Sequence, residues 1–266
     1  MQEIYNMHTH IFPEKISDKA VHAVGDFYGI RMHGKGTSSD LIDDGKKIGV
    51  TQYLVCSTAT KPDQVSSINH FIAKEVNKNK EYIGFGSLHP MSDDIEKDIE
   101  ELCNLNLSGV KLHPDFQLFN IDDPVTYKMF DICQGKLPFL IHMGDNRYSY
   151  SQPSRLLNTL DKFPKLVVIA AHLGGYTLWN EIKKPYLSHP RLYLDTSSSL
   201  MFLNPEEASL LIRNHGIDRV FFGTDYPMWD HESEFKRFIS LPLSDKEKEK
   251  VLCTNAKRFL SICHNY

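Results

Sequence analysis

Cysteine is scarce and shows no pairing pattern. Five occur in 266 residues, at 56, 103, 133, 253 and 263, with no Cys-x-x-Cys spacing. An odd, scattered set excludes a disulfide framework and fits reduced thiols. Long apolar runs are also missing, and none approaches the ~18 residues of a membrane span. The opening residues Met1-Gln2-Glu3-Ile4-Tyr5 lack the basic and apolar regions of a leader. The expectation is a cytoplasmic protein with no membrane partner. Excess positive charge is absent as well: 30 Lys and Arg stand against 34 Asp and Glu, for a net charge of -4. Without a basic stripe to track phosphates, nucleic acid is not an expected partner. No Gly/Ser-rich linker or low-complexity segment divides the chain, so one domain is expected over residues 1–266.

What the chain does have is alternation. Short apolar, β-branched runs recur at Ile4–Met7, Gln52–Cys56, Tyr82–Ser87, Gly109–Leu112, Phe139–His142, Leu166–Ala171, Leu192–Asp195 and Val220–Gly223. Amphipathic stretches such as Asp63–Asn79, Ile95–Leu105, Pro124–Gln134, Ser154–Phe163 and Pro205–Asn214 lie between them. Parallel strands need crossover connections, so this rhythm predicts a parallel sheet. About eight units predict closure into a (β/α)8 TIM barrel. Segment Ser17–Gly36 interrupts the rhythm and is expected to form a helix and loop capping the mouth. Ser244–Ile262 reads as one closing helix.

Polar residues cluster at the expected C-terminal ends of the strands, where such barrels build active sites. His8-Thr9-His10 ends the first, Lys111-Leu112-His113-Pro114 the fourth and His142-Met143-Gly144-Asp145 the fifth. His172-Leu173-Gly174-Gly175 ends the sixth and Gly223-Thr224-Asp225-Tyr226-Pro227 the eighth. Side chains alternate along a strand, so His8 and His10 share a face. Closure sets strand eight, with Asp225, beside them, and His142 projects from the opposite wall. Neutral imidazoles and one carboxylate suit a divalent cation, Zn2+ first, with Mn2+, Fe2+, Co2+ or Ni2+ able to use the same ligands.

These motifs resemble the amidohydrolase superfamily. They are most similar to its amidohydrolase-related branch, which includes the aminocarboxymuconate-semialdehyde decarboxylase type. Gly109-Val110-Lys111-Leu112-His113-Pro114 fits that branch too. The resemblance implies a distorted TIM barrel, a catalytic divalent metal, and either hydrolysis or non-oxidative decarboxylation. One ion is expected rather than two, held by His8, His10, His142 and Asp225. Asp225 and His172 are the expected catalytic groups. Many relatives carry Asp two residues before the first histidine; here it is Asn6, expected to orient His8.

The leading expectation is a hydrolase that directs metal-activated water at an amide, ester or lactone carbonyl of a small molecule. The alternative is a metal-dependent decarboxylase of an aromatic or unsaturated acid. A non-catalytic metal-binding barrel is a third reading. The chain is shorter than typical decarboxylases of the branch, which sets hydrolysis first. Lys111 is expected either to bridge two ions as a carboxylated lysine or to pair with a substrate carboxylate or Asp145. His113 and Arg31 are candidate substrate contacts, with Arg31 the preferred carboxylate clamp. His33, His89, Arg147, Tyr148, Tyr150, Tyr226 and Trp229 are assigned near the mouth. A homo-oligomer is compatible with the sequence.

Overall fold

The computed structural model describes residues 3–182 and 184–263, so Met1 and Gln2 of the reading above lie outside it. Eight strands form one parallel sheet in sequence order. They are β1 (Ile4–His10), β2 (Val50–Cys56), β3 (Tyr82–Ser87), β4 (Gly109–Leu112), β5 (Phe139–Ile141), β6 (Val168–Ala170), β7 (Leu192–Asp195) and β8 (Val220–Phe221). Backbone bonds from Met7 N to Phe222 O (2.8 Å), Asp225 N to His8 O (2.9 Å) and His10 N to Tyr226 O (2.7 Å) join the last strand to the first. The (β/α)8 barrel expected from the alternation is therefore present.

The helices are α1 (Glu14–Tyr28), α2 (Ser38–Lys46), α3 (Val65–Lys78), α4 (Ile95–Asn104), α5 (Pro114–Gln117) and α6 (Pro124–Cys133). They continue with α7 (Pro153–Lys162), α8 (Lys184–Leu187), α9 (Pro205–His215), α10 (His231–Ile239), α11 (Asp245–Glu249) and α12 (Asn255–Cys263). The expected helix and loop are there: α1 begins before Ser17, a loop follows it, and α2 starts just beyond the expected segment, at Ser38. The closing helix runs without a break from Asp245 to Cys263, with a π-helical turn at Lys250–Thr254 between α11 and α12. Among the described residues no helix is long and apolar enough to cross a membrane.

Alternation along each strand sorts side chains inside and outside. Val110, Phe139, Ile141, Val168 and Leu194 pack outward against the helices. Met7, Leu54, Phe85, Leu140, Ile169 and Phe221 form a second cluster inside the barrel. Phe259 of α12 joins it, so the last helix plugs the lower end. Stepping two residues on from these inner positions reaches Cys56, Ser87, His142 and Gly223, the layer that floors the mouth.

Candidate active site

Strand β1 carries a register shift between Asn6 and Thr9. Such a bulge re-aims side chains. Met7 joins the inner cluster while His8, its neighbour, also faces inward among Lys111, Asp195 and Asp225. Asn6 faces outward. Its amide donates to Thr224 Oγ1 (2.7 Å) and lies 2.9 Å from His231 Nε2 of α10, and its carbonyl accepts from Thr224 N (3.1 Å) and His8 N (3.3 Å). His231 in turn meets Asp44 of α2 at 2.7 Å. Asn6 thus clamps β1 to β8, as a backbone and not a ring contact to His8.

The ring of His8 is oriented by a residue the sequence reading passed over. His8 Nδ1 lies 2.9 Å from Asp195 Oδ2 at the end of β7. The other Asp195 oxygen accepts from His172 N (3.2 Å) and Ser197 N (3.0 Å). The proton on Nδ1 leaves His8 Nε2 a free lone pair. That nitrogen sits 3.2 Å from His10 Nε2 and 3.4 Å from Asp225 Oδ1, and His10 Nε2 is 3.2 Å from the same oxygen. Donors roughly 2.0–2.1 Å from a shared cation at tetrahedral angles stand about 3.3 Å apart. The triangle therefore has the edges of a divalent-metal site.

Electrostatics agree with that fit. Burial, reinforced by Lys111, lowers His8 to about 4, so its ring is neutral. Burial likewise lowers His142, His113 and His172, with nearby imidazoles or Lys111 adding to the effect. Asp225 is held well below the usual carboxylate range: burial opposes its charge, but His8, His10 and His172 outweigh burial. His10 is the exception. Burial disfavours its charge, yet Cys56 and Asp225 lift it to about 9. A cation in the triangle would replace that proton. His172 and Asp225 both sit at positive φ (60° and 59°). Non-glycine residues hold that conformation at a cost of order 1–3 kcal/mol, and such strain clusters at functional sites.

The remaining expected residues divide clearly. His142 stands outside the triangle. Its Nδ1 is 2.9 Å from His172 Nε2, and its ring stacks on His113 at 3.9 Å. His113 is stacked on its other neighbour, Phe116, at 3.7 Å and takes a 2.9 Å contact from Tyr28 Oη of α1. With Asp115, His113 and His142 form a second buried group of metal-ligand types. Lys111 is buried, 3.0 Å from His8 Nε2, and burial lowers its pKa. It does not meet Asp145, which is gripped through both oxygens by Arg147.

Arg31 is exposed and does not line the cavity above the triangle. Arg147 is committed to Asp145 and to Phe27 O. His33 lies beside Asp44 and Asp230, and Trp229 donates to Ser198 Oγ at 2.9 Å. Tyr226 is buried against Asp40, and neither it nor Tyr148 nor Tyr150 lines the cavity. His89 is buried and accepts from Met91 N at 3.2 Å.

A closed parallel barrel with histidines and carboxylates converging at its C-terminal mouth defines a class of metal-site enzymes. The family model described as amidohydrolase matches residues 57–262, and the chain belongs to that family. It is 28% identical over 246 residues to 2-amino-3-carboxymuconate-6-semialdehyde decarboxylase of Dictyostelium discoideum, covering 76% of this chain and 68% of that protein. Its fold is similar to 5-carboxyvanillate decarboxylase LigW from Sphingomonas paucimobilis, with a TM-score of 0.77, 15% identity, and 98% and 99% of the two chains covered. It is also similar to a dihydroxybenzoic acid decarboxylase from Polaromonas sp. JS666, solved with bound manganese and an inhibitor, 2-nitroresorcinol. That match has a TM-score of 0.76 and 16% identity and covers 98% of each chain.

These comparisons correct the leading functional expectation. Hydrolysis was set first because the chain is short, yet the relative and both solved structures are decarboxylases. Chain length was the wrong discriminator, since 98% of the chain superposes on those barrels despite its size.

Proposed function

We propose that this protein is a metal-dependent, non-oxidative decarboxylase of an aromatic or unsaturated carboxylic acid. The observation that carries the reading is the triangle of His8, His10 and Asp225 opening onto a largely apolar cavity, in a chain related to a decarboxylase. His8, His10 and Asp225 hold one divalent cation, with His142 as the fourth protein ligand. The donor set suits zinc or manganese. Bound there, a divalent cation supplies the positive charge that holds the substrate's oxygens and stabilises the electron pair left on carbon.

The chain's own residues do the rest. The bond between the substrate carbon and its carboxylate breaks, its electron pair stays on that carbon, and a proton takes the vacated position as carbon dioxide leaves. Asp225 and His172 are the groups assigned to move that proton. Asp225 is fixed by Ser198 Oγ at 2.6 Å, and His172 is within 2.9 Å of His142. Lys111, beside His8, pairs with the departing carboxylate, and His113 borders the same space. Asn6 keeps β1 and β8 in register beneath the site. The apolar walls favour neutral carbon dioxide over a buried carboxylate.

The test is a panel of hydroxybenzoic acids, including 2,6-dihydroxybenzoate, its 4-alkyl derivatives and the diacid 5-carboxyvanillate, offered to protein loaded with manganese or zinc. The expected result is carbon dioxide release that stops on chelation and returns with added metal. Turnover indifferent to chelation, or no release from any acid in the panel, overturns the proposal.

A further inference from the structure

Helix α1 packs in an unusual way. The residues it buries are Ser17, Val21 and Gly25, a small-residue face at four-residue spacing. A Cβ on Gly25 would lie 2.9 Å from Ile30 O, so the helix sits close against its own following loop. The bulkier apolar stripe, Ile16, Ala20, Ala23, Val24 and Phe27, faces the cavity above the triangle. Spacings of three and four residues make this one continuous helical face. Across the gap, Ile68 and Phe71 of α3 present a second apolar wall. Two amphipathic helices thus turn hydrophobic surface toward open space. Ile16 is left 51% exposed and Leu118, at the same rim, 68% exposed.

The cavity has a volume of about 630 Å3. A cavity of about 150 Å3 is enough to enclose benzene. A single-ring acid held at the triangle would leave most of the space unfilled. Above the floor, the described lining residues also offer no cationic side chain with which to bind a second acid group. Among the described residues Lys111 is the one lysine or arginine lining the cavity, and it lies at the floor beside His8.

We infer that the substrate is a monocarboxylic acid whose ring carries an uncharged, apolar arm, an alkyl chain or second ring, lying between α1 and α3. The inference rests on the decarboxylase reading only for the placement of the acid group at the triangle. The arm would cover the stripe of α1, and a diacid would have no counter-charge along that channel.

Binding separates the two ideas. Benzoate, 4-propylbenzoate, 4-pentylbenzoate and isophthalate are titrated calorimetrically into manganese-loaded protein. Burying a methylene contributes enough to tighten Kd roughly fourfold per added carbon, so Kd falls steeply from benzoate to the pentyl compound, and isophthalate binds more weakly than either alkylbenzoate. Ala23→Trp, which fills the channel from the α1 side, weakens the pentyl compound by more than tenfold, with Tm confirming that the variant is folded. A Kd that does not change with chain length, isophthalate binding best, or pentyl binding unaffected by Ala23→Trp overturns the inference. If chain-length dependence holds while no 4-alkyl-2,6-dihydroxybenzoate releases carbon dioxide, the channel stands and the decarboxylase reading fails.

Discussion

The Asp195 carboxylate lies 2.9 Å from His8 Nδ1, and both side chains are fully buried. The contact fixes the tautomer that turns the His8 Nε2 lone pair toward His10 and Asp225. Removing such a partner typically costs 10–100-fold in metal affinity. Asp195→Asn is therefore expected to weaken manganese or zinc by about that factor, read by competition with a chromogenic chelator. Wild-type affinity in the variant would mean that packing alone orients the ring.

The triangle also ranks its members. His10 and Asp225 each supply an edge at contact distance, whereas His142 is engaged with His172 and stacked on His113. His10→Ala and Asp225→Asn should emerge from gel filtration with little metal, and His142→Ala should retain more. Metal content by mass spectrometry decides it. Loss from His142→Ala equal to that from His10→Ala would show that His142 contributes as much to metal retention as the triangle itself.

The clamp from β1 to β8 is a stability claim. His231, buried, links Asn6 to Asp44 across 2.9 and 2.7 Å. Replacing it with alanine removes one partner each from the buried Asn6 amide and Asp44 carboxylate, which keep Thr224, Lys47 and the backbone N–H at 231, a loss of about 1–3 kcal/mol. The urea midpoint of His231→Ala should fall accordingly. An unchanged midpoint would show that the link from Asn6 through His231 to Asp44 adds nothing to the stability of the β1–β8 seam.

Glu234 of α10 gives a pH dependence. It is fully buried, one of its oxygens has no partner, and burial, opposed by Arg237, pushes its carboxyl up to about 7. In the unfolded chain the group ionises near 4.5. Between those values the unfolded state sheds its proton while the folded state keeps it, so stability falls as pH rises and levels off above 7. The loss is roughly 3 kcal/mol, from a shift of about 2.5 pH units. Glu234→Gln should be close to wild type at pH 4.5 and more stable at pH 8. Parallel stability curves would contradict this.

Much of this molecule was legible in its sequence because the signals were local. Runs such as Leu166 to Ala171 are apolar throughout, as strands buried on both faces must be. The pair His8 and His10, and Asp225 beside them, followed from alternation and closure. The ordered ladder is shorter than the runs suggested, only Val168–Ala170 and Val220–Phe221 in β6 and β8. Asp195 ends the expected strand Leu192–Asp195 and was still passed over, because a lone carboxylate ahead of Thr196-Ser197-Ser198-Ser199 carries no ligand motif. Tyr28 was missed because a helical residue's reach depends on where the helix docks. Arg31 was misjudged for the same reason: three residues past Tyr28, it faces solvent. Composition could not reveal that α1 turns its larger apolar face toward the cavity.

The central claim, carbon dioxide loss with protonation at carbon, is tested most directly by isotopes. Metal-loaded protein is given 2,6-dihydroxybenzoate, or whichever acid it turns over fastest, once in D2O and once in water labelled with 18O. The account predicts one deuterium on the carbon that carried the carboxylate and no 18O in the organic product. A product that keeps its carboxyl carbon and has gained 18O would contradict it.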